Sequence, residues 1–253
     1  MQTSLPFRLK DDMVWVRAHV HGHDLDGILD SDSDETFLDT QTADRLGLQK
    51  HPGSVSPGIE KTAPVTFDLG SSALVSPRPN ILSIKNQFPD MDFILGFDAL
   101  SETPFTVDYT KEVIRLGTVP TGLRVPFATG RDVPSTEIKF SGITVNGVVD
   151  TGAPAGLDLP FTWVNSKLPS TQFLQTRERK DLGPRFEALP FLVDKTVIGG
   201  VTLSNVKAEA IRRKSDPLKD QGDNWATIGN LLLKRFEQVG IDGPHRNCIF
   251  IAK

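Results

Sequence analysis

Val148-Val149-Asp150-Thr151-Gly152-Ala153 decides the reading of this chain, because an altered copy, Ile28-Leu29-Asp30-Ser31-Asp32-Ser33, lies 120 residues upstream. Each copy is a pair of aliphatic residues, an Asp, a small hydroxyl residue and a turn. Each is preceded at matched spacing by two glycines, Gly22 and Gly27 in one case, Gly142 and Gly147 in the other. Residues 17–30 and 137–150 therefore read as one hairpin written twice: strand, tight turn, and a return strand running out at Asp. A carboxylate at a buried strand end is costly unless it is hydrogen-bonded or has a task. Two of them in a duplicated chain are expected to meet at a pseudo-twofold axis.

Outward from these loops, the halves repeat the same order. Met13 to Val20 alternates as a half-buried strand, and Leu25 to Leu29 returns after His21-Gly22-His23. Leu38, Ala43, Leu46 and Leu48 point to a short helix stopped by Gly47. His51 to Pro64, rich in Pro, Gly and Ser, reads as a loop or hairpin tip. Val65 to Leu74 is a second hairpin, Phe93-Ile94-Leu95-Gly96-Phe97 an apolar strand stopping at glycine, and Phe105 to Leu116 a closing hairpin. In the second half, Ile138 to Asp150 is the hairpin, Leu157 to Val164 the helix region, and Gln172 to Pro190 a loop-rich insert. Val197 to Val201 carries a turn, Ile228-Gly229 ends the apolar strand, Leu231 to Phe236 is a short helix, and Gln238 to Ile251 closes the half. The offset between equivalent glycines grows from 129 at Gly70/Gly199 to 133 at Gly96/Gly229, as small loop insertions would produce. The expectation is a mostly β, two-lobed molecule with short helices in each lobe. Residues 1–119 form the N-terminal lobe with the first Asp loop, and 120–253 the C-terminal lobe with the second.

Bulk properties narrow the function. At 253 residues the chain can bury a substantial core, and a net charge of -4 gives no reason to expect nucleic acid or an anionic membrane as partner. A lone Cys248 excludes an internal disulfide framework. No run of 18 apolar residues is present, so no membrane span is expected. Met1-Gln2-Thr3-Ser4 is compatible with a native start and with the remnant of a removed export signal, which leaves periplasmic and cytoplasmic locations both open.

With the residues laid out, the chain resembles the retropepsin-like aspartic proteases, and bacterial ones in particular. The resemblance is carried by the two Asp loops, by Phe37-Leu38-Asp39 with Ala43-Asp44-Arg45-Leu46-Gly47-Leu48, by Ile94-Leu95-Gly96-Phe97-Asp98-Ala99-Leu100, and by Val107-Asp108-Tyr109. Ile228-Gly229-Asn230-Leu231-Leu232 is the weaker second version of the glycine turn. The glycine turns follow the Asp residues by 66 and 79 positions, and the likeness runs over nearly the whole chain. It implies an acid-protease-like fold built from a duplicated half, with an aspartic endopeptidase's activity. Asp30 and Asp150 would form a dyad in which one carboxylate activates water while the other, protonated, polarises the scissile carbonyl. Ser31 and Thr151 would tie the loops together, with Ser33, Gly152 and Ala153 supporting them. Gly96 and Gly229 would admit a strand close behind the dyad. Residues 51–64 and 172–190 would be flaps over a peptide or protein substrate; Tyr109, the sole tyrosine, lies in neither. No metal or cofactor is implied, and one chain suffices for a complete site.

Asp32 departs from that pattern, which asks for glycine. A third carboxylate there is expected to raise the proton affinity of the dyad, obstruct the cleft or select a basic substrate group. It also motivates an alternative, a catalytically impaired peptide-binding pseudo-protease. A third reading is a β-rich carbohydrate or adhesion module that merely shares duplicated hairpins. Asp30, Asp32 and Asp34 superficially suggest a calcium loop, but Glu35 and Gln41 occupy the positions where an EF-hand needs Gly and Glu. His19, His21 and His23 straddle a turn and read as exposed hairpin residues rather than a metal site. Cys248 reads as a small core residue, and Arg177 to Lys180 as a solvated loop tip.

Overall fold

The computed structural model describes residues 3–53, 59–70, 72–180, 185–213 and 225–253. It is mostly β and two-lobed, with four short α-helices among the described residues.

Each lobe is built around one crossing pattern, and the pattern occurs twice. In the first, strand His23–Leu29 runs parallel to Phe93–Leu95, which is antiparallel to Phe37–Asp39, which in turn is parallel to Asn80–Leu82. In the second, Ile143–Val149 runs parallel to Trp225–Ile228, which is antiparallel to Leu157–Pro160, itself parallel to Val201–Arg213. Parallel neighbours cannot be joined by a tight turn, so each lobe carries a long crossover between its Asp strand and its glycine strand. That crossover is what delivers two distant sequence segments side by side.

The paired hairpins share their register. Val16 faces Gly27 in Met13–Val20/His23–Leu29, and Thr136 faces Gly147 in Ser135–Phe140/Ile143–Val149. Their turns also match: His21 and Gly22 have φ of 48° and 84°, Ser141 and Gly142 have 49° and 76°. Two consecutive positive φ values match the right-handed twist of the flanking strands, the reason such turns dominate two-residue hairpins. His19, His21 and His23 are exposed on this hairpin, and His19 Nδ1 lies 3.0 Å from Asp24 Oδ1.

A third sheet joins the lobes. It has six strands, in the order Thr3–Pro6, Val113–Leu116, Phe105–Asp108, Phe236–Asp242, Asn247–Ala252 and Val125–Pro126. At its centre the closing hairpins of both halves pair antiparallel, with Val107 opposite Val239. Antiparallel pairing of equivalent strands is what a local twofold axis requires. The opening residues supply two strands, Thr3–Pro6 at the edge of this sheet and Arg8–Lys10 paired with Met13–Val20. The main apolar core runs through both lobes, with Phe67, Phe93, Phe105 and Phe236 fully buried. A smaller cluster of Met13, Trp15, Ile28, Ile84, Met91 and Ile94 lies apart from it. Cys248 is buried in the shared sheet, and burial pushes its thiol far above the usual range.

Two readings need correction. Gln172 to Pro190 is not mainly loop: Arg177–Lys180 is an edge strand, and Arg185–Ile198 forms a long hairpin with Val201–Arg213. Charged residues are a normal way to blunt an edge strand, so Arg177 to Lys180 gave no apolar alternation to detect. Arg177 instead reaches the buried Glu209 at 2.6 Å. The helix placed at Leu231 to Phe236 is Asn230–Leu233, and Phe236 already begins the next strand. The hairpin alternative for His51 to Pro64 is the one observed, with Lys50–Pro52 paired antiparallel to Glu60–Thr62. The centres of both proposed flaps, 54–58 and 181–184, lie outside the described residues.

Candidate active site

The two Asp loops meet where the lobes touch. Asp30 N donates to Leu95 O and Asp150 N to Ile228 O, each at 3.0 Å, so each carboxyl sits at the end of its own parallel strand pair. The loops are bolted through buried hydroxyls. Ser31 N donates to Thr151 Oγ1 at 3.1 Å, and Thr151 N donates to Ser31 Oγ at 3.2 Å. Thr151 Oγ1 donates across to Leu29 O at 2.6 Å, and Ser31 Oγ donates to Val149 O. Both side chains are fully buried. The reciprocal bonds span the two halves and fix the spacing of the Asp residues beside them.

Thr151→Val keeps the shape but leaves Leu29 O and Ser31 N without a buried partner. It is expected to cost about 2–3 kcal/mol, read as a lower midpoint in chemical denaturation with an unchanged slope.

The carboxyls themselves are held by backbone amides. Asp32 N and Ser33 N both donate to Asp30 Oδ1 at 3.1 Å, and Gly152 N donates to Asp150 Oδ1 at 2.8 Å, with the Ala153 amide adding a second bond. The Asp30 and Asp150 carboxyls lie close enough for each to shift the proton affinity of the other. Each carboxyl keeps some solvent access at the surface of the site yet is walled by dense protein. Burial raises the Asp30 pKa, opposed by the amides of Ser33 and Asp32 and by the Asp150 side chain. Asp150 is raised well above the carboxylate range, first by burial, then by the Asp30 charge, then by the Asp32 charge. Asp32, the residue that departs from glycine, therefore acts electrostatically on the opposite loop.

Gly152, at the matching position, shows what that departure means. A Cβ there would lie 2.5 Å from Asp30 Cγ and 2.6 Å from its Oδ2. The second loop has no room for a side chain where the first loop carries one, so the two loops are not equivalent.

The glycine strands back onto the loops. A Cβ on Gly96 would collide with the Glu35 carbonyl and lie 2.9 Å from Ser33 O; on Gly229 it would lie 2.6 Å from Ala155 O and 2.9 Å from Ala153 O. Phe97 N donates to Ser33 O at 2.7 Å, and Asn230 N to Ala153 O at 3.0 Å. Ser33 Oγ donates to Glu35 O at 2.7 Å.

Several site residues escaped the sequence reading. In the first lobe Thr36 Oγ1 and Ser76 Oγ donate to the two oxygens of Asp98, each at 2.6 Å, and Gly96 N donates to Thr36 Oγ1 at 3.1 Å. Glu35 takes bonds from Lys61 at 2.5 Å and Asn80 at 2.7 Å; Lys61 holds its carboxyl below the usual range. In the second lobe Asn230 bonds to the Thr151 carbonyl, and Tyr109 bonds to Asn230. The available signals were a lone polar residue after an apolar glycine strand and the only tyrosine of the chain. Among the described residues no group of three or more His, Cys, Asp or Glu side chains is arranged to hold a metal ion.

Comparison with known proteins finds similarity to the protein DNA-damage inducible 1 of Arabidopsis thaliana, 26% identical over 186 residues. The match covers 70% of this chain and 43% of that protein, so the chain spans less than half the length of the relative. No family model matches the chain.

Proposed function

We propose that this protein is an aspartic endopeptidase that hydrolyses peptide bonds with water activated by Asp30 and Asp150. The observation that carries the reading is the adjacent carboxyl pair, contributed by matched strand ends and held between reciprocal hydroxyl bonds. The resemblance of its two Asp loops and following glycine turns to those of retropepsin-like aspartic proteases supports that class. Burial raises the proton affinity of Asp30 too, but its two amide bonds oppose that, so it ionises before Asp150. Asp150, with the more strongly raised proton affinity, is the member that keeps the shared proton. In this assignment Asp30 takes a proton from water as the oxygen attacks the carbonyl carbon, while Asp150 donates to the carbonyl oxygen. The resulting tetrahedral diol then collapses with proton transfer to the leaving nitrogen. The pair titrates as a unit, so its pH–rate profile is a bell with two apparent pKa values. Gly96, Gly229, Ser31, Ser33, Thr151, Gly152 and Ala153 position these carboxyls, and no step requires a metal or cofactor.

Asp32 favours a second reading, a peptide-binding protein with an impaired site. One variant separates them. Asp32→Gly removes the charge that helps raise Asp150, so its carboxyl should release its proton at lower pH and the alkaline limb of the cleavage profile should move down. If the natural chain binds peptides without cutting them and Asp32→Gly cuts, the impaired-site reading holds instead.

A further inference from the structure

The second Asp loop has a support that the first lacks. Tyr109, from the closing hairpin of the first half, donates its hydroxyl to Asn230 Oδ1 at 2.8 Å. Asn230 Nδ2 donates to Thr151 O at 2.6 Å and lies 3.4 Å from Ala153 O. The orientation of the carboxamide is forced. Thr151 O and Ala153 O can only accept, so the amide nitrogen must face them and the amide oxygen must face Tyr109. The phenol is then obliged to donate, and burial followed by the Asp150 charge keeps it protonated. Thr151 O takes a second bond from Val14 N at 3.2 Å. The ring of Tyr109 is fixed edge-on against Phe7, with centroids 5.9 Å apart.

The reverse arrangement is absent. Phe97 stands after Gly96 where Asn230 stands after Gly229, and Gly243 follows Asp242 where Tyr109 follows Asp108. A Cβ on Gly243 would run into the Ser101 carbonyl, so no side chain fits there. The first loop relies instead on Thr36, Asp98 and Ser76.

We propose that Tyr109 and Asn230 form a positioning pair for the second Asp loop, through which the first half of the chain sets the orientation of the Asp150 carboxyl. Neither residue touches the reacting atoms. Their effect passes through the Thr151 and Ala153 carbonyls, which flank the amides of Gly152 and Ala153 that bind Asp150. The activity arm of this inference rests on the proteolytic reading; the titration arm does not.

The test uses the full chain and Tyr109→Phe, which keeps the ring and its Phe7 contact and removes only the hydroxyl, with Asn230→Ala as a second variant. Ser76→Ala is the control, since it deletes a comparable hydroxyl from the first-lobe network. Two quantities are read: the carboxyl-carbon NMR titration of Asp150, with Asp30 and Asp32 followed as the other carboxyls facing it, and kcat and KM on a cleaved peptide. Loosening the loop admits water to Asp150, so both variants should move its titration midpoint downward. Because slight misplacement of a reacting group is enough to slow catalysis strongly, kcat should fall at least about tenfold with KM little changed. Ser76→Ala should lower stability without moving the Asp150 midpoint. Loss of stability alone in Tyr109→Phe and Asn230→Ala, with kcat and the Asp150 midpoint as in the natural chain, overturns the proposal. Absence of cleavage by the natural chain removes the proteolytic reading, and the titration still decides whether the pair positions Asp150.

Discussion

Asp150→Asn is expected to lower peptide cleavage by at least roughly 10²–10⁴-fold, the contribution typical of a positioned general acid or base. The fold should survive. The asparagine oxygen can still accept from Gly152 N, and the Ser31/Thr151 bonds do not involve the carboxyl. Linkage sharpens this into a result of unusual sign. Asp150 binds its proton more tightly folded than unfolded, so its contribution to stability is full below the unfolded value and is lost as pH rises toward the folded one. An uncharged asparagine escapes that loss. Near neutral pH the inactive variant should therefore unfold at the same temperature as the natural chain or a higher one, by calorimetry. Inactivity together with a markedly lower unfolding temperature would attribute the loss to misfolding instead.

Gly152→Ala should be nearly as damaging, and for a steric reason. The added methyl has 2.5 Å to Asp30 Cγ, a separation no real Cβ tolerates, so either the loop or the Asp30 carboxyl must move. The neighbours of Gly152 are pinned by the hydroxyl bonds of Thr151 and by the Asn230 bond to the Thr151 carbonyl, which leaves Asp30 as the freer party. A displacement of about 1 Å at a reacting group costs on the order of 10²-fold in rate. Overpacking should cost a further 1–3 kcal/mol of stability, roughly. The rate loss, read as kcat on a peptide substrate, should exceed anything that replacing Asp32 at the matching position of the other loop produces.

The duplicated hairpins were legible because β periodicity and paired glycines leave a local signature: Gly22 and Gly142 need positive φ, and their neighbours alternate. The placement of the loops at one site was not local. It depends on the parallel pairing of Leu29 with Leu95 and Val149 with Ile228, which no window of sequence contains. The position of Asp32 could be read from the register with Gly152, but its electrostatic reach to Asp150 required the two halves together. Tyr109 and Asn230 were hidden for the same reason: each looks ordinary in its own strand, and their bond joins residues 121 positions apart. Arg177 to Lys180 failed differently, since an edge strand made of charges carries no apolar pattern to find.

The most direct measurement is digestion of a mixed peptide library by the natural chain in ¹⁸O-labelled water across about pH 3–7, the range in which carboxyl pairs of raised proton affinity titrate. The expected result is internal cleavage with one labelled oxygen in each new carboxyl terminus, a bell-shaped pH dependence, and no dependence on added metal. Peptides bound and recovered intact at every pH would contradict it and leave a binding protein in its place.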